Sequence, residues 1–432
     1  MKIWLLNPPY SEPVIREGRC EQKANLFHTS YPPLTLAYLG SILKQKFDVK
    51  IIDCIAYDIN VKKLGEMCRK EKPGKIFLSV STPTIDYDLK VINYLNKINN
   101  SEFIIFGFHA TYFSKELSKY KYIKVIKGEP EKYAAELIDK KYNFNNLPFP
   151  SWDLIDISKY KMPLINENFV LVKPQKGCPY SCTFCVTPSY SNGKVDLRNV
   201  DSVLNELRYI KKLGINNVIF FADTFTVNKE WVKKLCEGII KENLKIRWVC
   251  NSRVDTVDYK TLRIMKQAGL WLISFGIESG DQKILDNCKK QIKLSELEII
   301  NKANSLGLLT FGHFIFGLPG ETKETIKKTI DLSKSLNLDF SAFYIATPFP
   351  GSELYEQVKD NVKTEDWSKF EYSTQVLSGA INFEAWQNKA YKEFYLNNKI
   401  RRLSKIIKIV GLKNMLNILS VSMKTYFGII KK

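Results

Sequence analysis

Short apolar runs rich in β-branched and aromatic residues alternate along this chain with segments of helical period. In the first third, "KIWLLN" (2–7), "DVKIIDC" (48–54), "KIFLSVS" (75–81) and "EFIIFGF" (102–108) have strand length. Between them, "LTLAYLGSILKQ" (34–45) and "DYDLKVINYLNKI" (86–98) repeat apolar residues every three or four positions. Strand, helix, strand at this spacing predicts a doubly wound parallel sheet. Such a sheet takes its ligands along the carboxyl edge of its strands, here "NPPY" (7–10), Asp53, "STPT" (81–84) with Ser81, and "GFHAT" (107–111) with Gly107 and His109.

A Pro-rich joint, "NNLPFPSWDL" (145–154), interrupts the pattern and predicts a linker over 145–165 after a first domain over 1–144. The alternation then resumes with "FVLVKP" (169–174), "NVIFFAD" (217–223), "IRWVCNS" (246–252), "WLISFGIE" (271–278), "TFGHFIFG" (310–317) and "SAFYIATP" (341–348), separated by amphipathic helices. Six βα units predict a partial (β/α)6 barrel over 166–365, with its chemistry on the loops that follow the strands. Residues 366–432 read as a C-terminal helical region with a basic tail. The fold class is α/β throughout.

Composition narrows the function classes. At 432 residues the chain exceeds one ordinary core, and its 45% hydrophobic and 25% charged residues are those of a soluble globular protein. The opening "MKIWLLNPPY" is too short in its apolar run for a signal peptide, and stretches such as "GLWLISFGI" (269–277) are strand length, not membrane-span length. Nine cysteines in such a chain predict thiols or metal ligands in a reducing, cytoplasmic compartment. The formal charge is +20, but nine Lys and Arg and no acid lie in the last 38 residues. No basic patch interleaved with aromatics occurs elsewhere, so a nucleic-acid partner is not expected.

Three of the cysteines stand together in "GCPYSCTFC" (177–185), on the loop directly after the first strand of the second set. Cys178, Cys182 and Cys185, at i, i+4 and i+7, can converge on one inorganic centre. Structural zinc wants a fourth ligand, yet the next cysteines are Cys236 and Cys250 and the histidines are His28, His109 and His313. A [4Fe-4S] cluster with one iron open to a non-protein ligand fits better. The bland alternative is an incidental group or an incomplete zinc site.

The spacing in "CPYSCTFC" resembles that of radical S-adenosylmethionine (SAM) enzymes. The chain around it is similar to their cobalamin-binding branch in "YPPLTLAYLG" (31–40), "FGFHAT" (106–111), "KGEPEKYAAELI" (127–138), "LPFPSWDLID" (147–156), "FFADTFTVN" (220–228), "FGIESGDQKIL" (275–285), "FIFGLPGET" (314–322) and "TPFPGSELYE" (347–356). The resemblance implies a Rossmann-like cobalamin-binding domain, then the barrel. It also implies SAM chelated at the open iron and cleaved by the reduced cluster to a 5′-deoxyadenosyl radical.

By the same resemblance, Phe184 lies against the adenosyl group, Arg253 holds the methionine carboxylate, and Glu278 accepts from ribose or amine. Each has a plainer reading: Phe184 packs under the loop, and Arg253 and Glu278 pair with each other or with neighbouring loops. Asp223 ends the second barrel strand in "FADTFT", where Ala222 replaces the first acid of the fuller motif. Gly312, Gly317 and Gly320 allow close approach of backbone to a ligand or mark turns. His313 reads as a satisfied interior histidine.

In the first domain, Asp53, Ser81, Gly107, His109, Gly128 and Glu129 fall on the implied corrinoid side. The lower-ligand motif Asp-x-His-x-x-Gly is absent, because the loop reads "NPPYSEPVIREG" (7–18). His109 is therefore expected near the corrinoid and not as a cobalt ligand, and Cys54 as a buried thiol.

The leading functional reading is cobalamin-dependent methyl transfer to an unactivated carbon of a small molecule or lipid. Radical ring formation or rearrangement is the alternative, and a non-catalytic cobalamin or iron–sulfur sensor a third. An electron donor such as flavodoxin or ferredoxin is implied as partner. The tail places Leu403, Ile406, Ile407 and Val410 at helical spacing beside Arg401, Arg402, Lys405 and Lys408, and then Leu412, Met415, Leu416 and Leu419 beyond Gly411. Such a stripe either packs on the core or enters the boundary of an anionic membrane as a peripheral contact.

Overall fold

A computed structural model describes residues 1–17, 22–23, 30–396, 399–411 and 414. The chain divides into two compact units, 1–161 with 349–351 and 364–371, and 162–348 with 352–363 and 372–432.

Unit 1 carries five parallel strands: β1 (Lys2–Asn7), β2 (Asp48–Asp53), β3 (Lys75–Ser79), β4 (Glu102–Phe106) and β5 (Ile123–Val125), in the order β2-β1-β3-β4-β5. Runs such as IWLL and FIIF are buried on both faces, as strands covered by helices on each side must be. Trp4, Leu6, Leu78, Val91, Phe103 and Ile105 form part of one core. The helices include α1 (Leu34–Leu43) and α2 (Ile85–Ile98). α1 follows Pro33, which offers no side-chain cap. Glu17 supplies one from elsewhere, accepting from the Thr35 N–H at 3.0 Å and the Thr35 hydroxyl at 2.8 Å. The strand order reverses between β1 and β3, so the crevice at the carboxyl ends of these two strands is the ligand position such sheets favour. A cleft there is lined by Asn7, Arg16, Glu17, Thr35, Leu36 and Ser79, among others.

Unit 2 is built on six parallel strands: β6 (Phe169–Val172), β7 (Asn217–Phe220), β8 (Arg247–Ser252), β9 (Leu270–Glu278), β10 (Leu309–Phe316) and β11 (Phe340–Ile345). Their order is the chain order, as in an open barrel. β8 alternates half-buried and buried residues, so one face meets the helices and the other is less covered. His313 and Ile315 on β10 and Tyr344 on β11 show the same partial exposure. His313 Nδ1 lies 3.0 Å from the Tyr344 hydroxyl, so its ring has a partner, although it is half-buried and not interior.

An open barrel leaves edge strands whose backbone groups need partners. Helix α3 (Phe383–Leu396) covers β11 with Gln387, Tyr391 and Tyr395, spaced four apart on one helix face. Gln387 Nε2 donates to the Phe343 carbonyl at 2.7 Å. The Tyr391 hydroxyl accepts from the Phe343 N–H at 3.2 Å and donates to its carbonyl at 3.3 Å, and Tyr395 treats Ser341 likewise at 3.2 and 2.8 Å. Side chains thus replace a seventh strand.

In α4 (Lys399–Val410), Ile406 and Val410 are buried and Lys405 Nζ is 2.6 Å from Asp339 Oδ2. The start of the tail therefore packs on its own unit. The side chains of Arg401, Arg402 and Leu403, and Leu412, Met415, Leu416 and Leu419, lie outside the described residues. Among the described residues no helix is long and apolar enough to cross a membrane.

Candidate active site

The cysteine loop leaves β6 and is pinned at several points. Gly177 has φ 83°, and a Cβ there would stand 2.2 Å from the Lys194 carbonyl oxygen, so only glycine fits the entry. The Gly177 N–H donates to Asp223 Oδ2 at 2.8 Å, and Asp223 also accepts from the Tyr190 hydroxyl at 3.0 Å and from the Thr187 hydroxyl at 3.1 Å. Asp223 is thus a brace for the loop, which the FADTFT resemblance did not convey. Midway, the Thr183 N–H donates to the Cys288 carbonyl at 3.0 Å and its carbonyl accepts from the Leu354 N–H at 2.8 Å.

The three thiols differ in surroundings. Cys178 and Cys182 are buried and Cys185 is half-buried. Cys185 Sγ accepts from the Thr187 N–H at 3.4 Å, and Cys178 Sγ lies 3.5 Å from the Thr224 hydroxyl. Burial pushes the Cys182 thiol up, opposed by the nearby charges of Lys290 and Arg253. None of the described cysteines is in a disulfide. Among the described residues, no three His, Cys, Asp or Glu side chains come together at a spacing that holds a single metal ion. The buried cations that act on Cys182 suit an iron–sulfur cluster on this loop, since such a cluster takes one thiolate per iron and is itself anionic.

Arg253 and Glu278 both stand near Cys182, each with a neighbouring loop as partner. The Arg253 fork meets Asp255 at 2.9 and 2.8 Å, donates to the Lys290 carbonyl at 2.7 Å, and reaches Cys182 Sγ at 3.9 Å through Nη1. Its guanidinium lies 3.5 Å from the centre of the Tyr180 ring, a cation–π contact. Glu278 Oε1 is 2.6 Å from Lys290 Nζ. Phe184 is half-buried against Ile284, Cys288, Leu318, Ala346 and Leu354. Gly317, with φ 87°, begins the turn after β10 and donates its N–H to Glu321. Burial raises that carboxyl to about 8, and its Oε1 has no partner among the described residues. Tyr180, Asp255, Lys290 and Glu321 escaped the sequence reading. Tyr180 and Glu321 had a local signal, in CPYSCTFC and GLPGET.

At the edge of the unit 1 sheet, polar groups satisfy one another. Asp53 is 2% exposed and accepts from Asn7 Nδ2 at 2.9 Å, the Tyr160 hydroxyl at 2.7 Å and the N–H groups of Ile55 and Ala56 at 3.1 Å. Burial raises its carboxyl, against the pull of those bonds. Ser81 is buried and bonded to Thr84 at 2.8 Å. A Cβ on Gly107 would stand 2.4 Å from the Val80 carbonyl oxygen, whereas one on Gly128 would meet nothing within 4 Å. His109 is buried against Phe113 and Trp367, with Nδ1 3.3 Å from the Thr82 hydroxyl, and burial pushes its imidazole down to about 3. Glu129 is half-buried just before the helix Pro130–Leu137.

Residues 172–333 match the model of the radical SAM superfamily. A protein of Pyrococcus horikoshii described as an uncharacterized methyltransferase is 30% identical over 93% of this chain and 94% of its own length. The chain belongs to the radical SAM superfamily. A second relative of this radical SAM enzyme, the anaerobic magnesium-protoporphyrin IX monomethyl ester cyclase of Cereibacter sphaeroides, is 27% identical over 81% of this chain and 64% of that enzyme. Among solved structures, the radical SAM methyltransferase TsrM of Kitasatospora setae, with cobalamin and a [4Fe-4S] cluster bound, has the same fold. It superposes with a TM-score of 0.67 at 16% identity, covering 83% of this chain and 78% of TsrM.

Proposed function

We propose that this protein is a cobalamin-dependent radical methylase acting on an unactivated carbon of a small-molecule substrate. The observation that carries the reading is the loop of Cys178, Cys182 and Cys185 after the first strand of a six-stranded parallel sheet, with Arg253 and Lys290 buried beside it. The methyl-transfer half is supported by the names of the Pyrococcus relative and of TsrM. When bound, the cluster supplies the electron that cleaves SAM, and the corrinoid supplies the methyl carrier.

This chain's residues would bind and orient. Cys178, Cys182 and Cys185 would ligate the three closed irons. Phe184, Arg253, Glu278 and Gly317 would bound the SAM position, with Asp223 fixing the loop that carries the ligands. In unit 1 the crevice between β1 and β3 supports a corrinoid seat. Along the same carboxyl edge Gly107, Gly128 and Glu129, on the loops after β4 and β5, would flank that seat, and Ser81, Asp53 and His109, already occupied by their own neighbours, would hold the loops in place from beneath.

The full chain reconstituted anaerobically with iron, sulfide and hydroxocobalamin, then given dithionite and SAM, tests the reading. S-adenosylhomocysteine beside 5′-deoxyadenosine supports methyl transfer. 5′-Deoxyadenosine alone would favour ring formation or rearrangement, the chemistry that the cyclase relative's name brings in. No cleavage at all would sink both. A one-electron protein donor such as flavodoxin or ferredoxin would replace dithionite in the cell. Ile406 and Val410 pack on their own unit, so within the acid-free tail it is Leu412, Met415, Leu416 and Leu419 among the flanking lysines that support a lipid as the small molecule, since apolar residues flanked by cations suit an anionic surface. Negligible, equal pelleting with anionic vesicles of the full chain and of a chain ending at Asn398 would remove that support.

A further inference from the structure

Three non-glycine residues around the cysteine loop hold left-handed backbone: Glu278 at φ 69°, Lys289 at 54° and Gln291 at 57°. Such conformations cost of order 1–3 kcal/mol each and persist only where the surroundings impose them. The last two flank Lys290, whose side chain turns inward. Lys290 is 5% exposed, with Nζ 2.6 Å from Glu278 Oε1, and its carbonyl accepts from Arg253, which in turn reaches Cys182 Sγ. Two residues earlier the Cys288 carbonyl holds the N–H of Thr183, next to Cys182. The backbone of 288–291 is thus tied to the cysteine loop, and the strained turn delivers a positive charge close to its middle thiol.

Stability does not explain a lysine here. Taking an ammonium out of water is costly, a single carboxylate partner offsets the cost only in part, and apolar residues of similar volume often do as well in such a pair.

We propose that Lys290 is a positioning residue of the reaction: its buried charge, with that of Arg253, raises the reduction potential of the iron–sulfur cluster on Cys178, Cys182 and Cys185. The inference rests on the cluster reading above. Reduction adds one negative charge to a thiolate-ligated cluster, and a fixed cation in a poorly screened interior stabilises the reduced form more than the oxidised one. Arg253 also holds the Lys290 carbonyl and Asp255, so removing it would break the ties between loops as well as the charge, which leaves Lys290 as the charge to vary. Glu278 opposes it with the other sign.

The test uses the full chain reconstituted with iron and sulfide, without SAM, poised at fixed low potentials and read by electron paramagnetic resonance of the reduced cluster. Lys290→Met is expected to lower the reduced-to-oxidised ratio about tenfold, or about 59 mV for a one-electron couple. Glu278→Gln should shift the ratio the other way, and Lys290→Arg should leave it near the parent value. The double variant Lys290→Met with Glu278→Gln leaves no unpaired buried charge. Measured against Glu278→Gln, it isolates the lysine even where Lys290→Met does not fold, and a ratio no lower than that of Glu278→Gln would count against the lysine. An unchanged ratio in Lys290→Met at normal iron content would overturn the proposal. So would shifts of the same sign in both single variants, which mark a loosened fold. Failure of the parent chain to take up iron would instead overturn the cluster reading.

Discussion

The carboxyl edges of the two parallel sheets carry the same residue types and use them differently. In unit 1, Arg16 bridges Asn7 at 2.7 Å and Asp88 at 2.9 Å, and Asp88 continues through Thr84 to Ser81. With the Asp53 cluster beside it, almost every polar atom answers another of the same edge. In unit 2, Arg253 and Lys290 are also paired with carboxylates, yet Arg253 reaches Cys182 Sγ and the charge of Lys290 acts on the same thiol. A closed polar network acts as a scaffold, whereas one with a reactive sulfur at its side acts on that sulfur through its field. Residue types do not distinguish the two. The group at the centre does.

The comparison breaks first at the cysteines. Replacing Cys182 with Ala should abolish iron uptake and SAM cleavage, while Cys236→Ala and Cys250→Ala keep both, as iron analysis and 5′-deoxyadenosine formation would report. Full cleavage by Cys182→Ala would remove the reactive centre from unit 2.

Next in size is the scaffold. Asp88→Asn strands the Arg16 charge in the interior and should cost about 3–5 kcal/mol. Because a two-unit chain need not unfold in one step, the measurement is hydrogen exchange of the β1 and β3 amides. Iron content per chain should hold steady, and a parallel loss of iron would show that the two edges are not separable.

His109 sharpens the scaffold reading through pH. Its ring titrates near 6.5 in the unfolded chain and at about 3 when folded. Below pH 6.5 the unfolded state takes up a proton that the folded state refuses, so this contribution is complete above about 6.5 and is lost as pH falls toward 3. From pH 7 to pH 5 the loss should be about 2 kcal/mol, read by exchange of the β4 amides. His109→Phe should flatten that slope, and an unchanged slope would mean the ring is not the titrating group.

The smallest effect concerns the covered edge. Tyr391→Phe or Tyr395→Phe removes one hydroxyl from β11 and should cost about 1 kcal/mol, measured by exchange at Phe343 and Ser341. Equal exchange in the variants would show that α3 covers the strand by packing alone.

Much of the architecture is legible in order and period. All six strands of unit 2 and four of the five in unit 1 begin within a residue of the runs that announce them and end within three. β5, three residues in the segment IKV, is too short to carry an alternation. The cysteine spacing was equally legible, because ligands of one centre on one loop are close in sequence. Arg253 and Glu278 were readable as strand-end residues near a ligand edge, but their pairing with Asp255 and Lys290 was not. Lys290 sits in a stretch of lysines, and nothing local marks which one turns inward.

What the sequence by itself determined is most of the elements, their alternation along the chain and the thiols, since each depends on neighbours a few residues away. The tertiary structure alone decided that Asp223 braces the cysteine loop, that Glu17 caps a helix eighteen residues on, and that His109 lies among aromatic rings. Those outcomes depend on burial and on partners up to hundreds of positions distant, and the free energy of a buried charge or hydrogen bond is set by the surroundings that arrive with the fold.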